Sequence, residues 1–313
     1  MGEDAACKSD SQLEKVLKAG HFAFTGELGP PRGADAAAVR EKARHLVGLV
    51  DAVNITDNQT AVVRMASWAT SLVVKELGLE PNYQMVCRDR NRLAMQSDIL
   101  GAAALGLNTM LCLSGDHPRF GDHPQAANVH DLDSIQLLGM VKKMRDQGQF
   151  LGGAPLTVAP RMFLGAAANP FGDPFELRVL RLGKKVAAGA DFIQTQSIYN
   201  MAKFREYVRL ARERGLTEKT FILAGVTPLK SAGMARYMAD KVPGMEVPPD
   251  IVKRVAGAPK AEQAAEGIRL ACEQIAELRE MPGVAGIHLM AIEWEHRVPE
   301  IAERAGLLPR PQV

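Results

Sequence analysis

The chain has 313 residues, enough for one large domain or two ordinary ones; 47% are hydrophobic and 24% charged, which argues against disorder, a collagen-like repeat and a disulfide scaffold. Its 38 Lys and Arg nearly balance 36 Asp and Glu, with no long block of one sign, so neither nucleic acid nor a membrane surface is indicated as a partner.

The N-terminal stretch MGEDAACKSD is acidic and polar, unlike a signal peptide, and Ala6 stands where a myristoylation motif needs Ser or Thr. No apolar run approaches the roughly 18 residues of a membrane span, and a cytoplasmic location is expected. After a leading helix near Ser9 to Lys18, apolar β-rich runs at 21–28, 51–57, 83–88, 108–114, 163–168, 191–198, 220–226 and 284–292 predict strands. Segments such as DAAAVREKARHLVGLV and NMAKFREYVRLARERG lie between them, with apolar residues recurring at three and four, and predict helices. Eight such units predict a closed (β/α)8 TIM barrel, a single α/β domain over 1–313 with a short helical extension at about 1–20. Cys7, Cys87, Cys112 and Cys272 are too dispersed for a zinc site or a disulfide framework, so reduced thiols and no metal are expected.

In such a barrel the active site forms at the carboxyl ends of the strands. Polar residues gather there: Glu27; Thr56, Asp57 and Asn58; Arg88 and Asp89; Ser114, Gly115 and Asp116; Asn169; Gln194 and Gln196; Thr227; Glu293. Glu27, in FAFTGELGPP, would be partly desolvated and suited to donating a proton near neutral pH; the competing reading is a turn residue or a partner of Arg32. Asp116 could equally cap backbone N–H groups. Gln194 and Gln196, at i and i+2, share one face of strand six, and their amides match a heterocycle with an N–H beside a carbonyl. Alternatively both satisfy backbone groups. Lys184 and Lys185 read first as solvated, with phosphate contact the minority reading. The histidines of the long loop, His117, His123 and His130, fit no metal spacing. No G-x-G-x-x-G or P-loop pattern is present.

The motifs GELGPP, VNITDNQTA, CRDRN, LCLSGDHP, DLDSIQLLGMVKKM, GAAANP, KKVAAGADFIQTQSIY and ILAGVTPL, in this order, resemble the methylenetetrahydrofolate reductase family over nearly the full length. The resemblance implies a flavoenzyme, with FAD or FMN, that reduces 5,10-methylenetetrahydrofolate by hydride transfer from flavin N5. It implies Glu27 as general acid toward N10 of the folate, Asp116 between flavin and pterin, and Gln196 as the amide on the pterin. For the flavin it implies Thr56, Gln84, Ser114, Gly115, Lys185 and Ala190, and more loosely His130, Ala167 and Asn169.

Three pairs of residues depart from the family pattern. Gln84 and Ser114 replace a His and an Arg of better-studied bacterial members, and Arg178 and Arg181 replace an Asp and an Asn on the dinucleotide side, which leaves FMN and FAD both open. Met234 and Met238 replace a Gln and a Phe near the nicotinamide, so the donor is either NAD(P)H or an electron-transfer protein such as a zinc-containing partner subunit; methionines packed as core are the alternative. An oligomer is expected. The competing function is a folate-binding or electron-accepting subunit that is inactive without its partner.

Overall fold

The computed structural model describes residues 7–242 and 244–313. The start of the expected N-terminal extension, Met1 and Gly2 included, lies outside the described residues. The leading helix is α1, Gln12–Lys18, where extended Ser11 accepts the Glu14 N–H at 3.2 Å and caps the first turn. The strands are β1 (Ala23–Leu28), β2 (Ala52–Ile55), β3 (Pro81–Val86), β4 (Thr109–Leu113), β5 (Phe163–Ala168), β6 (Phe192–Ser197), β7 (Phe221–Val226) and β8 (Gly286–Leu289). They alternate with helices α2 (Ala36–Arg44), α3 (Ser67–Lys75), α4 (Arg92–Ala104), α5 (Ser134–Gln147), α6 (Phe175–Ala188), α7 (Met201–Glu213) and α8 (Ala232–Lys241). Helices α9 (Pro249–Gly257) and α10 (Gln263–Arg279) precede β8, and α11 (Val298–Arg304) follows it.

Each strand pairs in parallel with the next, and β8 closes onto β1, so the fold is the (β/α)8 barrel expected from the alternation of elements. Most strands are somewhat shorter than their apolar runs, β8 the most, and β3 is shifted rather than shortened. The ladder at β8 stops once Met290 N–H has reached the Val226 carbonyl at 2.8 Å, because the chain then turns and Glu293 adopts a left-handed conformation at φ 51°. β3 begins two residues earlier than its apolar run, with Pro81 at its first position, where a missing N–H costs the ladder least.

Alternation of side chains divides the barrel into two cores. Outward residues, among them Phe24, Ile55, Tyr83, Met110, Leu164, Ile193 and Ile287, pack beneath the helices. Inward residues Ala23, Ala52, Leu111, Phe163, Phe192 and Leu223 pack on Leu13, Val16 and Leu17 of α1, which thereby plugs the amino end. Gly165 is required there: a Cβ would sit 2.3 Å from the Phe192 ring, which stacks on Phe163 with centroids 5.2 Å apart. Each large side chain sealed in this plug contributes about 1.5–3 kcal/mol.

The same period of two decides what lies above the plug. Thr25 and Glu27 follow Ala23 on the inner face, Asn54 and Thr56 follow Ala52, Gln194 and Gln196 follow Phe192, and His288 follows Gly286. The barrel interior therefore changes from apolar to polar along its axis. No helix among the described residues is long and apolar enough to cross a membrane.

Candidate active site

Glu27 lies inside β1, opposite Asn54 in the ladder, and only 9% of it is exposed. It is therefore no surface turn residue. Arg32, its suggested partner, binds Asp122 instead at 2.6 Å. Glu27 Oε2 faces Nε2 of buried His288 on the adjacent β8 at 3.5 Å. Below this pair a side-chain network crosses the barrel. His288 Nδ1 lies 3.0 Å from Thr25 Oγ1, which receives the Gln194 Nε2–H at 3.2 Å. Gln194 and Asn54 exchange amide bonds at 2.6 and 3.1 Å, and Asn82 donates to Asn54 Oδ1 at 2.7 Å. Gln194 thus satisfies other side chains, whereas the alternative weighed from sequence had both amides satisfying backbone groups.

Gln196 is exposed at the rim, past a register irregularity between Gln194 and Ser197 in the pairing of β6 with β7. It lines a cavity of about 280 Å³ together with Cys112, Leu113, Ser114, Ser134, Ala167, Ala168, Asn169, Arg178, Arg181, Leu182 and Lys185. This cavity runs from the inner rim of β4, β5 and β6 into the cleft beneath α5 and α6. Arg178, Arg181, Leu182 and Lys185 recur at three, four and seven, so one face of α6 delivers all of them. Three cations in one cleft make a site for an anion such as a phosphate. Burial, and secondarily the Arg181 charge, lower the Lys185 ammonium to a pKa of about 8, and its Nζ donates to the Ala167 carbonyl. Lys184, on the other side of the helix, is exposed. Ser134 Oγ lies 3.2 Å from Ser114 Oγ at the start of α5, whose first turn is held by a capping box between Asp133 and Gln136.

Asp116, in the loop after β4, is exposed and accepts the Thr60 N–H of the loop after β2 at 3.0 Å, so it does cap a backbone group, though a distant one. Several further ties lock the two loops. Arg88, 3% exposed, donates to the Asp116 and Asn58 carbonyls at 2.8 and 3.2 Å, and Asp122 accepts the Val63 N–H at 3.3 Å. The hydrogen bonds that Arg88 donates to the Asp89 carboxylate are the main cause that keeps its guanidinium above its ordinary pKa, so this clamp stays charged. The clamp holds Asn58, Thr60 and Ala61 at φ 44°, 59° and 58°, a left-handed run that is costly for a β-branched residue such as Thr60. Gly115, at φ 87°, turns the chain between Val86 and Arg88, whose Cβ atoms a side chain there would meet at 3.0 and 3.1 Å.

The remaining sequence candidates disperse. Thr56 is 2% exposed and its hydroxyl has no partner among the described residues; Gln84 is buried in β3 on the inner face. His130 is exposed, and Asn169 accepts the Phe171 N–H at 2.9 Å while lining the cavity. Ala190 is buried in the turn from α6 to β6, beside the start of β5, because its N–H closes the helix on Lys185 O; it does not line the cavity. Met234 and Met238 pack with Tyr199, Leu229 and Ala232, so both serve as core. Glu293 binds Lys42 at the surface. Among the described residues no cluster of His, Cys, Asp or Glu could hold a metal, and all four cysteines are free. His288, Asn54 and Asn82 were not singled out from sequence; the available signal was a polar residue at an inward position of an apolar strand.

A methylenetetrahydrofolate reductase family model matches residues 12–306. Curated relatives include a "Probable methylenetetrahydrofolate reductase (NADPH)" of Caenorhabditis elegans, 24% identical over 257 residues, which covers 80% of this chain and 36% of the relative. "Methylenetetrahydrofolate reductase 2" of Schizosaccharomyces pombe is 25% identical over 236 residues, with 72% and 36% covered. The chain thus spans about a third of the length of these relatives. Among solved structures, a Clostridium thermocellum protein described as binding two copies of 5-methyl-5,6,7,8-tetrahydrofolic acid superposes with TM-score 0.64 at 13% identity, covering 96% of this chain and 99% of that one. Tryptophan synthase from Mycobacterium tuberculosis reaches TM-score 0.52 at 12% identity, with 97% of each chain covered, which speaks to the barrel fold alone.

Proposed function

Because the chain belongs to the methylenetetrahydrofolate reductase family, we propose that it is a flavin-dependent oxidoreductase that reduces 5,10-methylenetetrahydrofolate to 5-methyltetrahydrofolate, with Glu27 as general acid. The observation that carries this reading is the convergence, on one barrel rim, of a buried carboxyl beside His288, an exposed amide and a cavity lined by three cations. The folate ligands described for the C. thermocellum protein support the choice of substrate.

The residues present fit a flavin. Thr56 Oγ1 is a buried hydroxyl with no partner among the described residues, and Arg178, Arg181 and Lys185 suit a phosphate in FMN or FAD. Thr56, Ser114, Gly115, Ala167 and Asn169 would hold the ring and chain, and the cations of α6 the phosphate end. When bound, the flavin supplies the hydride for the exocyclic carbon of the folate.

The chain's own residues do the rest. Gln196 offers an acceptor and a donor to the N–H and carbonyl edge of the pterin. Glu27, shielded from bulk water, passes its proton to N10; the bond from N10 to the methylene carbon breaks, and N5 and that carbon are left as a cationic iminium. The Asp116 carboxylate, fixed by the interlocked loops, stabilises that cation. Glu27 is left as a carboxylate and recovers its proton from solvent.

An absorbance spectrum with mass spectrometry of the released cofactor, followed by oxidation of 5-methyltetrahydrofolate with an artificial acceptor, tests the assignment. A yellow protein that turns over is expected; a protein that neither holds a flavin nor accepts one on addition would overturn it. Two donors fit this reading, NAD(P)H or a zinc-containing partner protein. Anaerobic mixing with NADH separates them, since rapid bleaching of the flavin in the isolated protein would eliminate the partner.

A further inference from the structure

We propose that Thr195 is a positioning residue for Gln196: its hydroxyl pins a one-residue bulge in β6 that takes Gln196 out of the ladder with β7 and sets its amide in the cavity wall. The functional meaning of this arrangement rests on the reading of Gln196 as the amide on the pterin; the bulge itself does not.

The bulge follows from the register of the two strands. Phe192, Ile193 and Gln194 stand opposite Phe221, Ile222 and Leu223, but the next partner along β7, Gly225, stands opposite Ser197. Three steps from Gln194 to Ser197 therefore face two from Leu223 to Gly225, and β6 carries one residue in excess. In an unbroken register Gln196 would stand beside Gly225. Ser197 takes that place instead; it is fully buried, its Oγ lies 2.6 Å from Thr227 Oγ1, and the Gly225 carbonyl receives the Ile198 N–H at 2.9 Å. Gln196, without a ladder partner on β7, is exposed and lines the cavity with Ala167 and Ala168 of β5 and Asn169 just past it.

Both strands are fitted to the excess residue. Thr195 is 3% exposed, and its hydroxyl accepts the Gly225 N–H at 2.9 Å while donating to the Gln196 carbonyl at 2.8 Å. One hydroxyl thus ties the bulge to the neighbouring strand. The β-branched side chain has restricted rotamers, which keeps the hydroxyl on these two groups. On β7, a Cβ at position 225 would come 2.4 Å from the Thr195 carbonyl and 2.7 Å from that of Gln196, so glycine there admits the bulge. Among the described residues the Gln196 amide has no hydrogen-bond partner, so its place is set through this backbone.

A valine at 195 would keep the shape and remove both bonds. The Gly225 N–H would lose an acceptor sealed from water, and the Gln196 carbonyl its donor. The bulge could then shift, and the amide with it. A ligand edge that must meet a donor and an acceptor at once is sensitive to such a shift, because both bonds form in one orientation only.

Two measurements test this. In 15N NMR of the full chain as isolated, the side-chain amide signals of Gln196 are assigned by their loss in Gln196→Ala. They should move in Thr195→Val and stay in place in Thr195→Ser, which keeps the hydroxyl. The second is calorimetric titration of the oxidised, flavin-loaded protein with folic acid, which carries the same N–H and carbonyl edge and gives no hydride to the flavin. Thr195→Val should weaken binding about tenfold, the effect of losing one buried hydrogen bond. In the Gln196→Ala background the same substitution should leave the affinity unchanged, which a general loosening of the barrel would not do. If Thr195→Val fails to fold, Thr195→Ala replaces it. Three results would overturn the proposal: amide signals that stay in place in the variant, an unchanged affinity where Gln196→Ala weakens it, or an equal loss with and without the Gln196 amide. Wild-type affinity in Gln196→Ala alone would instead overturn the pterin reading of Gln196, and leaves the amide signals as they are.

Discussion

At the amino end of the barrel, Ala23, Phe163, Phe192 and Leu223 face inward beneath a lid of Leu13, Val16 and Leu17; two to four residues further along the same strands, Thr25, Glu27, Gln194 and Gln196 face inward instead. The backbone geometry is the same in both layers, and only the chemistry of the side chains changes. The lower layer gains from burial and close packing, while the upper layer holds polar groups that must satisfy one another. At the rim that satisfaction is incomplete. Thr56 Oγ1 has no partner among the described residues, Gln196 is exposed, three cations share a cleft, and the loop at Asn58, Thr60 and Ala61 is clamped in left-handed backbone. Incomplete satisfaction above a well-packed plug is what a binding site on a rigid scaffold looks like.

Substitutions that separate the two ends sharpen this contrast. The largest effect is expected from Glu27→Gln, which should lower folate turnover by about 100- to 10,000-fold with little change in thermal stability, measured by steady-state assay and calorimetry. Leu13→Ala should do the opposite, lowering stability by about 2–5 kcal/mol in denaturant titration without altering the pH dependence of turnover. Gln196→Ala should weaken folate binding by about 1–3 kcal/mol in calorimetric titration; an unchanged affinity would shift the pterin contact elsewhere. The Lys185 ammonium, at a pKa of about 8, is charged below that value and loses its charge above it. Flavin affinity, followed by fluorescence quenching, should therefore decline as pH rises through about 8, and Lys185→Met should flatten that decline. The smallest effect belongs to Thr60→Gly, which should raise stability by about 1 kcal/mol by relieving the left-handed residue, at the cost of a looser Asp116 clamp.

The barrel was legible because every unit repeats a short apolar run and an amphipathic helix, a local pattern that needs no tertiary knowledge. Glu27 was legible for a related reason, as an acid at the end of an apolar strand before Gly-Pro-Pro. The convergence of Arg178, Arg181 and Lys185 was open to helical periodicity, yet it needed α6 placed over β5 and β6 before the spacing meant a cleft. His288 was hidden. In GIHLMAIEW it is one polar residue among apolar ones, and its meaning depends on the closure of β8 onto β1, which brings together residues separated by most of the chain. Gln194 and Gln196 looked equivalent at i and i+2, but depth along the barrel axis sets one in the sealed network and the other in the cavity wall. Ala190 followed the motif around Lys185, although the helix carries it away from the rim toward the start of β6.

Anaerobic titration of the flavin-loaded protein with 5-methyltetrahydrofolate, followed by visible absorbance, addresses the whole rim at once. The wild type should bleach as the folate gives up its hydride, and Glu27→Gln, with equal flavin content, should stay yellow. Equal bleaching in both, or a wild type that stays oxidised at saturating folate, would contradict the assignment of acid and site.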